Sequence, residues 1–242
     1  MGLYQAGRYA EAAHKLFADK EFTGDILEEA EGDAQFTKEY VLLATGYLNW
    51  MDDKEKAEEM MEQASDFAMT GEEHIDLARG QMTLFQNKDA AAEGFRKGLA
   101  EITDKTSLLD FAKLIAEELE DTELAKEFYA KAESKMTSAK DLTELAKAVL
   151  DDLKDKEYAG KIYDRAQESI EAPGELITLA DEIIKNIENK EQARAIYRKS
   201  FGIIEKLDHY FNLLKEVDKN LGDKDFAKEI LLKAEEIADS TP

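Results

Sequence analysis

Residues 139–172 read AKDLTELAKAVLDDLKDKEYAGKIYDRAQESIEA, and the rest of the chain rewrites this stretch. Its Ala146 has counterparts in Ala44, Ala78, Ala112, Ala180 and Leu214, in steps of 34 residues without a gap. A second series keeps the period: Ala57, Ala91, Ala125, Ala159, Ala193, Ala227. Four residues after each comes a large side chain: Met61, Phe95, Tyr129, Tyr163, Tyr197, Leu231. Three further on comes a small one: Ala64, Gly98, Ala132, Ala166, Ser200, Ala234. Steps of four and three put these residues on one helical face. Small residues there let two helix backbones approach, and the large one fills the gap beside them. Each unit therefore reads as a helical hairpin. One hairpin cannot bury its apolar stripe alone, so neighbours must stack.

The turn within the hairpin is equally regular. Asp53, Asn87, Asp121, Asp155, Asn189 and Asp223 stand just before the second helix. Asp and Asn are favoured N-caps because their side-chain oxygen accepts from free N–H groups of the first turn. Two residues on comes an acid each time (Glu55, Asp89, Glu123, Glu157, Glu191, Asp225), where the positive end of the helix dipole favours negative charge.

The small–large–small run at spacings of four and three, on a 34-residue period, resembles the second helix of a tetratricopeptide (TPR) repeat. Residues 192–199, QARAIYRK, resemble the related half-a-TPR (HAT) repeat. The glycine that the TPR pattern has in its first helix is Ala in five of the six clear repeats here, and the preceding tryptophan and the closing proline are missing. The resemblance implies an all-α fold: an α-solenoid of about seven antiparallel helical hairpins in a right-handed superhelix. We expect one domain over 1–242. A degenerate first repeat covers 1–36, where Asp19 aligns with Asp53 and Leu27 and Ala30 take the large and small places. Repeats follow at 37–70, 71–104, 105–138, 139–172 and 173–206, and a terminal capping repeat at 207–242. A rival register starts from Gly7-Arg8-Tyr9-Ala10-Glu11-Ala12 and makes the chain begin in mid-hairpin. In the last repeat the apolar series Leu48, Met82, Ala116, Leu150, Ile184 ends in Asp218, a polar exchange suited to an end cap.

Hydrophobic residues make up 43% and charged ones 36%, enough to build a core and coat it. The net charge of −23 repels a phosphate backbone, which argues against nucleic-acid binding. With no cysteine, disulfide and thiol chemistry are excluded. No apolar run approaches membrane-spanning length and no signal-peptide pattern opens the chain, so we expect a soluble protein with no membrane partner, cytoplasm being the favoured location.

Catalytic signals are weak, and no enzyme activity, cofactor or metal site is expected. Glu11-Ala12-Ala13-His14 matches Glu-x-x-His, but with 55 acids in 242 residues such a match is ordinary coincidence. Residues 218–229 echo a calcium loop with Gly222 and Asp223 in the wrong order, where the other repeats have their interhelix turn. Tyr129, Tyr163 and Tyr197 read as core packing rather than as a stacking ladder for ligands.

In a TPR-like stack the first helices line the concave surface. There the resemblance implies an apolar row (Val41, Ile75, Leu109, Thr143, Ile177, Phe211) beside a mostly basic one (Thr45, Arg79, Lys113, Lys147, Asp181, Lys215). The function expected is that of a non-enzymatic module binding a peptide or helix of a partner protein on this face. Ile75, Leu109, Ile177 and Phe211 would be its apolar contacts, and Arg79, Lys113, Lys147 and Lys215 its charged ones. The alternative is a structural scaffold or assembly factor acting through oligomerisation or complex stabilisation, which leaves homo-oligomers open.

Overall fold

The structure is a computed structural model that describes residues 10–16 and 19–240. Among these residues there are fourteen helices and no strand. They form two compact units, one ending at Phe128 and the other beginning at Tyr129. Part of the rival register, residues 7–9, lies outside the described residues.

The first unit starts with α1 (10–16) and α2 (Lys20–Asp33). Next come α3 (Thr37–Gly46, extended by an i→i+5 turn over Tyr47–Met51) and α4 (Lys54–Phe67). Then follow α5 (Gly71–Phe85), α6 (Lys88–Glu101), α7 (Lys105–Leu114, extended likewise over Ile115–Leu119) and the first half of α8 (Thr122–Glu133), whose residues from Tyr129 on count with the second unit. The second unit contains α9 (Ala139–Leu153), α10 (Lys156–Ala166), α11 (Pro173–Ile187), α12 (Lys190–Ile203), α13 (Leu207–Leu221) and α14 (Lys224–Ser240). Odd and even helices pack as hairpins: α3 on α4, α5 on α6, α9 on α10, α11 on α12, α13 on α14. Phe111 of α7 and Phe128 of α8 meet edge to face at 6.4 Å.

The two alanine series are the floor of each hairpin. Ala44, Ala78, Ala112, Ala146 and Ala180 have no exposed surface, nor do Ala57, Ala91, Ala125, Ala159 and Ala193. Only the last repeat relaxes, with Leu214 and Ala227 half-buried and Leu231 half-exposed. At Gly98 the approach is close: an added Cβ would lie 2.7 Å from the Ile75 side chain and 2.8 Å from the Gly71 carbonyl oxygen.

Six of the hairpin turns have the same two-residue device. Asp52, Gln86, Glu120, Lys154, Glu188 and Gly222 adopt left-handed backbone, φ between 52° and 64°, which ends the first helix. The following Asp or Asn caps the second helix by accepting the N–H three residues on, at 2.9–3.2 Å. Asp19 caps α2 in the same way at 3.0 Å.

Adjacent repeats are joined by a ladder of buried tyrosine hydroxyls. Tyr129 donates to Asp152, Asn186 donates to Tyr163 at 3.0 Å, and Asn220 donates to Tyr197 at 2.8 Å. The partners 152, 186 and 220 are themselves 34 apart. A phenol buried at the large position needs such a partner, because an unmatched buried hydroxyl costs about 1–3 kcal/mol.

Candidate functional site: the outer face of the first helices

The rows that face outward on the first helices lie two residues before the alanine and one after it. Leu42, Asp110, Glu144, Thr178 and Asn212 are exposed and Asp76 is half-buried. Beside them Arg79, Lys113 and Lys215 are exposed and Thr45, Lys147 and Asp181 half-buried. The spacing of three between the rows makes them neighbours on one face.

The expected apolar row lies one residue earlier, about 100° around the helix toward the core. Ile75 and Ile177 are 2% exposed and pack inside, so neither has surface to offer a partner. Leu109 is half-buried and Phe211 is 51% exposed. The outward place next to the cations is taken instead by acids, above all Asp76, Asp110 and Glu144. The signal for them was present: an acid three residues before a base in three successive first helices.

The cations are correspondingly not a bare positive stripe. Lys147 Nζ donates to Glu182 Oε1 at 2.8 Å, Lys215 lies 3.7 Å from Glu216, and Lys113 lies 3.8 Å from Glu117. The hydrogen bond to Glu182 pushes the Lys147 ammonium above its usual value, against the opposing effect of burial. Burial pushes the Asp76 carboxyl up, with Lys38 and Arg79 pulling the other way. Burial likewise raises Asp181, which accepts from the Tyr197 hydroxyl and from Asn220 at 2.9 Å.

Each unit holds clefts on this face. In the first, about 550 Å³ opens between α3, α5 and α7, lined by Lys38, Asp76, Arg79, Ser107 and Phe111. In the second, clefts of about 340 and 580 Å³ share Lys147 and Glu182 between α9 and α11. Glu182 Oε2 is buried there with no hydrogen-bond partner among the described residues. A cleft of this kind, with partly desolvated charges on rigid helices, can orient polar groups of a ligand.

The weaker motifs have structural roles. Glu11 pairs with Lys15 at 2.5 Å. Asp223 caps α14 and pairs with Arg194 at 2.5 Å, while Gly222 supplies the left-handed turn. Among the described residues no three His, Asp or Glu side chains are grouped to hold a metal, and no helix is long and apolar enough to cross a membrane. Tyr129, Tyr163 and Tyr197 are core residues, at most 1% exposed.

Comparison with solved structures returns helical-repeat proteins. One is the C-terminal part of a TPR repeat-containing protein from Cytophaga hutchinsonii, at 14% identity and a TM-score of 0.37, covering 97% of this chain and 96% of that one. Another is the assembly chaperone of RpL4 (Acl4), at 15% identity and a TM-score of 0.29, covering 100% of this chain and 92% of that one. No protein-family description and no curated protein matches the chain.

Proposed function

We propose that the protein is a non-enzymatic interaction module that holds a peptide or helix of a partner protein on the outer face of the first helices within each unit. The observation that carries this reading is the recurrence, in both units, of clefts on that face lined by half-buried, counter-charged side chains. Helices capped at every turn keep these groups in place, so little ordering cost falls on binding. Leu109 and Phe211 supply apolar contact, and Arg79, Lys113, Lys147 and Lys215 supply positive charge. Ile75 and Ile177 act from within by supporting the helices that carry them. Because acids stand among the cations, a partner with both charge signs in matching register fits better than a purely acidic one.

A photo-crosslinking amino acid at positions 109 and 211, introduced in the native host, tests this. Adducts to the same protein from both positions are expected, with none from position 58 on the outer side of α4. Lys113→Glu with Lys147→Glu should slow association and alter its salt dependence, and Leu109→Ala should mainly speed dissociation. Adducts from position 58 alone would sink the reading. A scaffold role has one observation in its favour: Leu231 and Leu232 on α14 are 48% and 53% exposed. Sedimentation of the pure protein decides that reading, since a scaffold of this kind self-associates and Leu231→Lys abolishes it.

A further inference from the structure

The loops between repeats also follow the 34-residue period. Ile102, Met136, Ile170 and Ile204 plug four of them and are 2–7% exposed. The first two loops carry Ala34 and Ala68 at that place, and both stay partly open. Around them stand Phe36, Phe67 and Met69, at 60, 42 and 77% exposure. Tyr40 ties the group together. Its ring stacks on Phe67 at 5.1 Å, its N–H donates to the Phe36 carbonyl at 3.3 Å, and its hydroxyl donates to the Ala34 carbonyl at 3.1 Å.

Phe36 and Met69 each have a carboxylate fixed beside them. Glu39 Oε2 accepts the N–H groups of Gln35 and Phe36 at 2.8 and 3.1 Å. Glu73 Oε2 accepts those of Met69 and Thr70, both at 2.9 Å, and these bonds hold its carboxyl below the usual range. Residues 29–40 and 62–73, the two loops with the helix ends that flank them, contain eight Asp and Glu against one Lys. That lysine, Lys38, faces the cleft beside Asp76. Greasy anchors and surplus negative charge are thus concentrated on the same part of the surface.

We propose that loops 34–36 and 67–69 form a docking surface for a Lys/Arg-rich segment of a partner protein. The segment seats an apolar side chain where the other loops carry isoleucine or methionine and sets its cations over the flanking carboxylates. Charge selects this occupant. A second copy of the chain, a nucleic acid or an anionic membrane would each bring negative charge to a surface that already repels it. Apolar contact area then gives residence time, and the carboxylates give approach rate and orientation.

The test uses the whole chain and a fluorescein-labelled peptide in which lysines flank two leucines, read by anisotropy at physiological salt. Phe36→Ser with Met69→Ser alters only exposed side chains. It should weaken binding about tenfold, as loss of central anchors does, and a peptide with both leucines replaced by serine should show the same loss. Asp33→Asn with Asp66→Asn should weaken binding about threefold and flatten its salt dependence. Phe211→Ser should bind as wild type does, which separates this surface from the first-helix face. If the Phe36 and Met69 variant melts early, hydrogen exchange of the wild type takes its place, with protection by the peptide confined to 34–40 and 66–73. Equal binding by wild type and variant, no binding, or protection elsewhere overturns the proposal. So does binding only of an RNA oligomer or phosphatidylserine vesicles, or self-association that the variant abolishes.

Discussion

Gly98 shows how much one side chain decides. Its place in the repeat is the small one, filled elsewhere by Ala or Ser, and here even a methyl group meets Ile75 at 2.7 Å. Gly98→Ala should therefore destabilise the first unit by about 1–3 kcal/mol, as overpacking does, despite the better helix propensity of alanine. Urea unfolding checks it, and an increase in stability would show that the contact relaxes freely. Asp76 is a second case. Burial raises its folded-state value above the ordinary 3.8, so its ionisation opposes folding. That opposition is complete above the raised value and fades as pH falls toward 3.8. Asp76→Asn should accordingly be more stable than wild type at pH 7, with the gain shrinking toward pH 4. A gain independent of pH would mean that the charge is not its source.

At the scale of the element, the hairpin turn is the recurring device, and its two residues answer to different physics. Asp155 accepts from the Tyr158 N–H at 2.9 Å, so Asp155→Ala should cost about 0.5–2 kcal/mol. In a repeat protein each unit contacts its neighbours, and the loss should appear as faster hydrogen exchange in α9 and α10, not throughout the chain. The residue before the cap is left-handed in all six turns, yet only Gly222 is the residue that tolerates this freely. Gly222→Ala should cost about 1 kcal/mol, and Lys154→Gly should stabilise by a few tenths up to about 1 kcal/mol. Thermal melts in opposite directions for the two exchanges would confirm that backbone strain, not side-chain contact, governs this position.

For the molecule as a whole, the net charge of −23 is the dominant electrostatic fact. Many lysines are already held in ion pairs, Lys88 with Glu120 among them, and the Lys20 and Lys88 ammonium groups also reach carbonyls at the end of the next first helix at 3.2 Å. The remaining acids repel one another in the compact state more than in the expanded one. Salt screens that repulsion, so the melting temperature should rise between about 0.01 and 0.15 M sodium chloride, as the Debye length falls from about 30 to 8 Å. A melting temperature that falls over this range would mean that the ion pairs outweigh the repulsion.

The sequence by itself determined what depends on spacing along the chain. The 34-residue period, the two alanine series, the tyrosines as core and the caps at Asp53 through Asp223 are all local patterns, and helix geometry turns them into faces and ends. Tertiary structure decided what depends on a third dimension. Ile75 and Ile177 lie inside while Asp76 and Asp110 take the face beside the cations, because one residue is about 100° of rotation and only the neighbouring helices say where the boundary of burial falls. The rungs of the tyrosine ladder, Asp152, Asn186 and Asn220, belong to the next repeat, 23 residues on, so they are invisible to any reading of one helix at a time. The openness at Ala34 and Ala68 is likewise a matter of what fills a space. Alanine looks like a conservative loop residue in the sequence, yet Ala34 and Ala68 stay partly exposed where isoleucine or methionine is buried in the other loops.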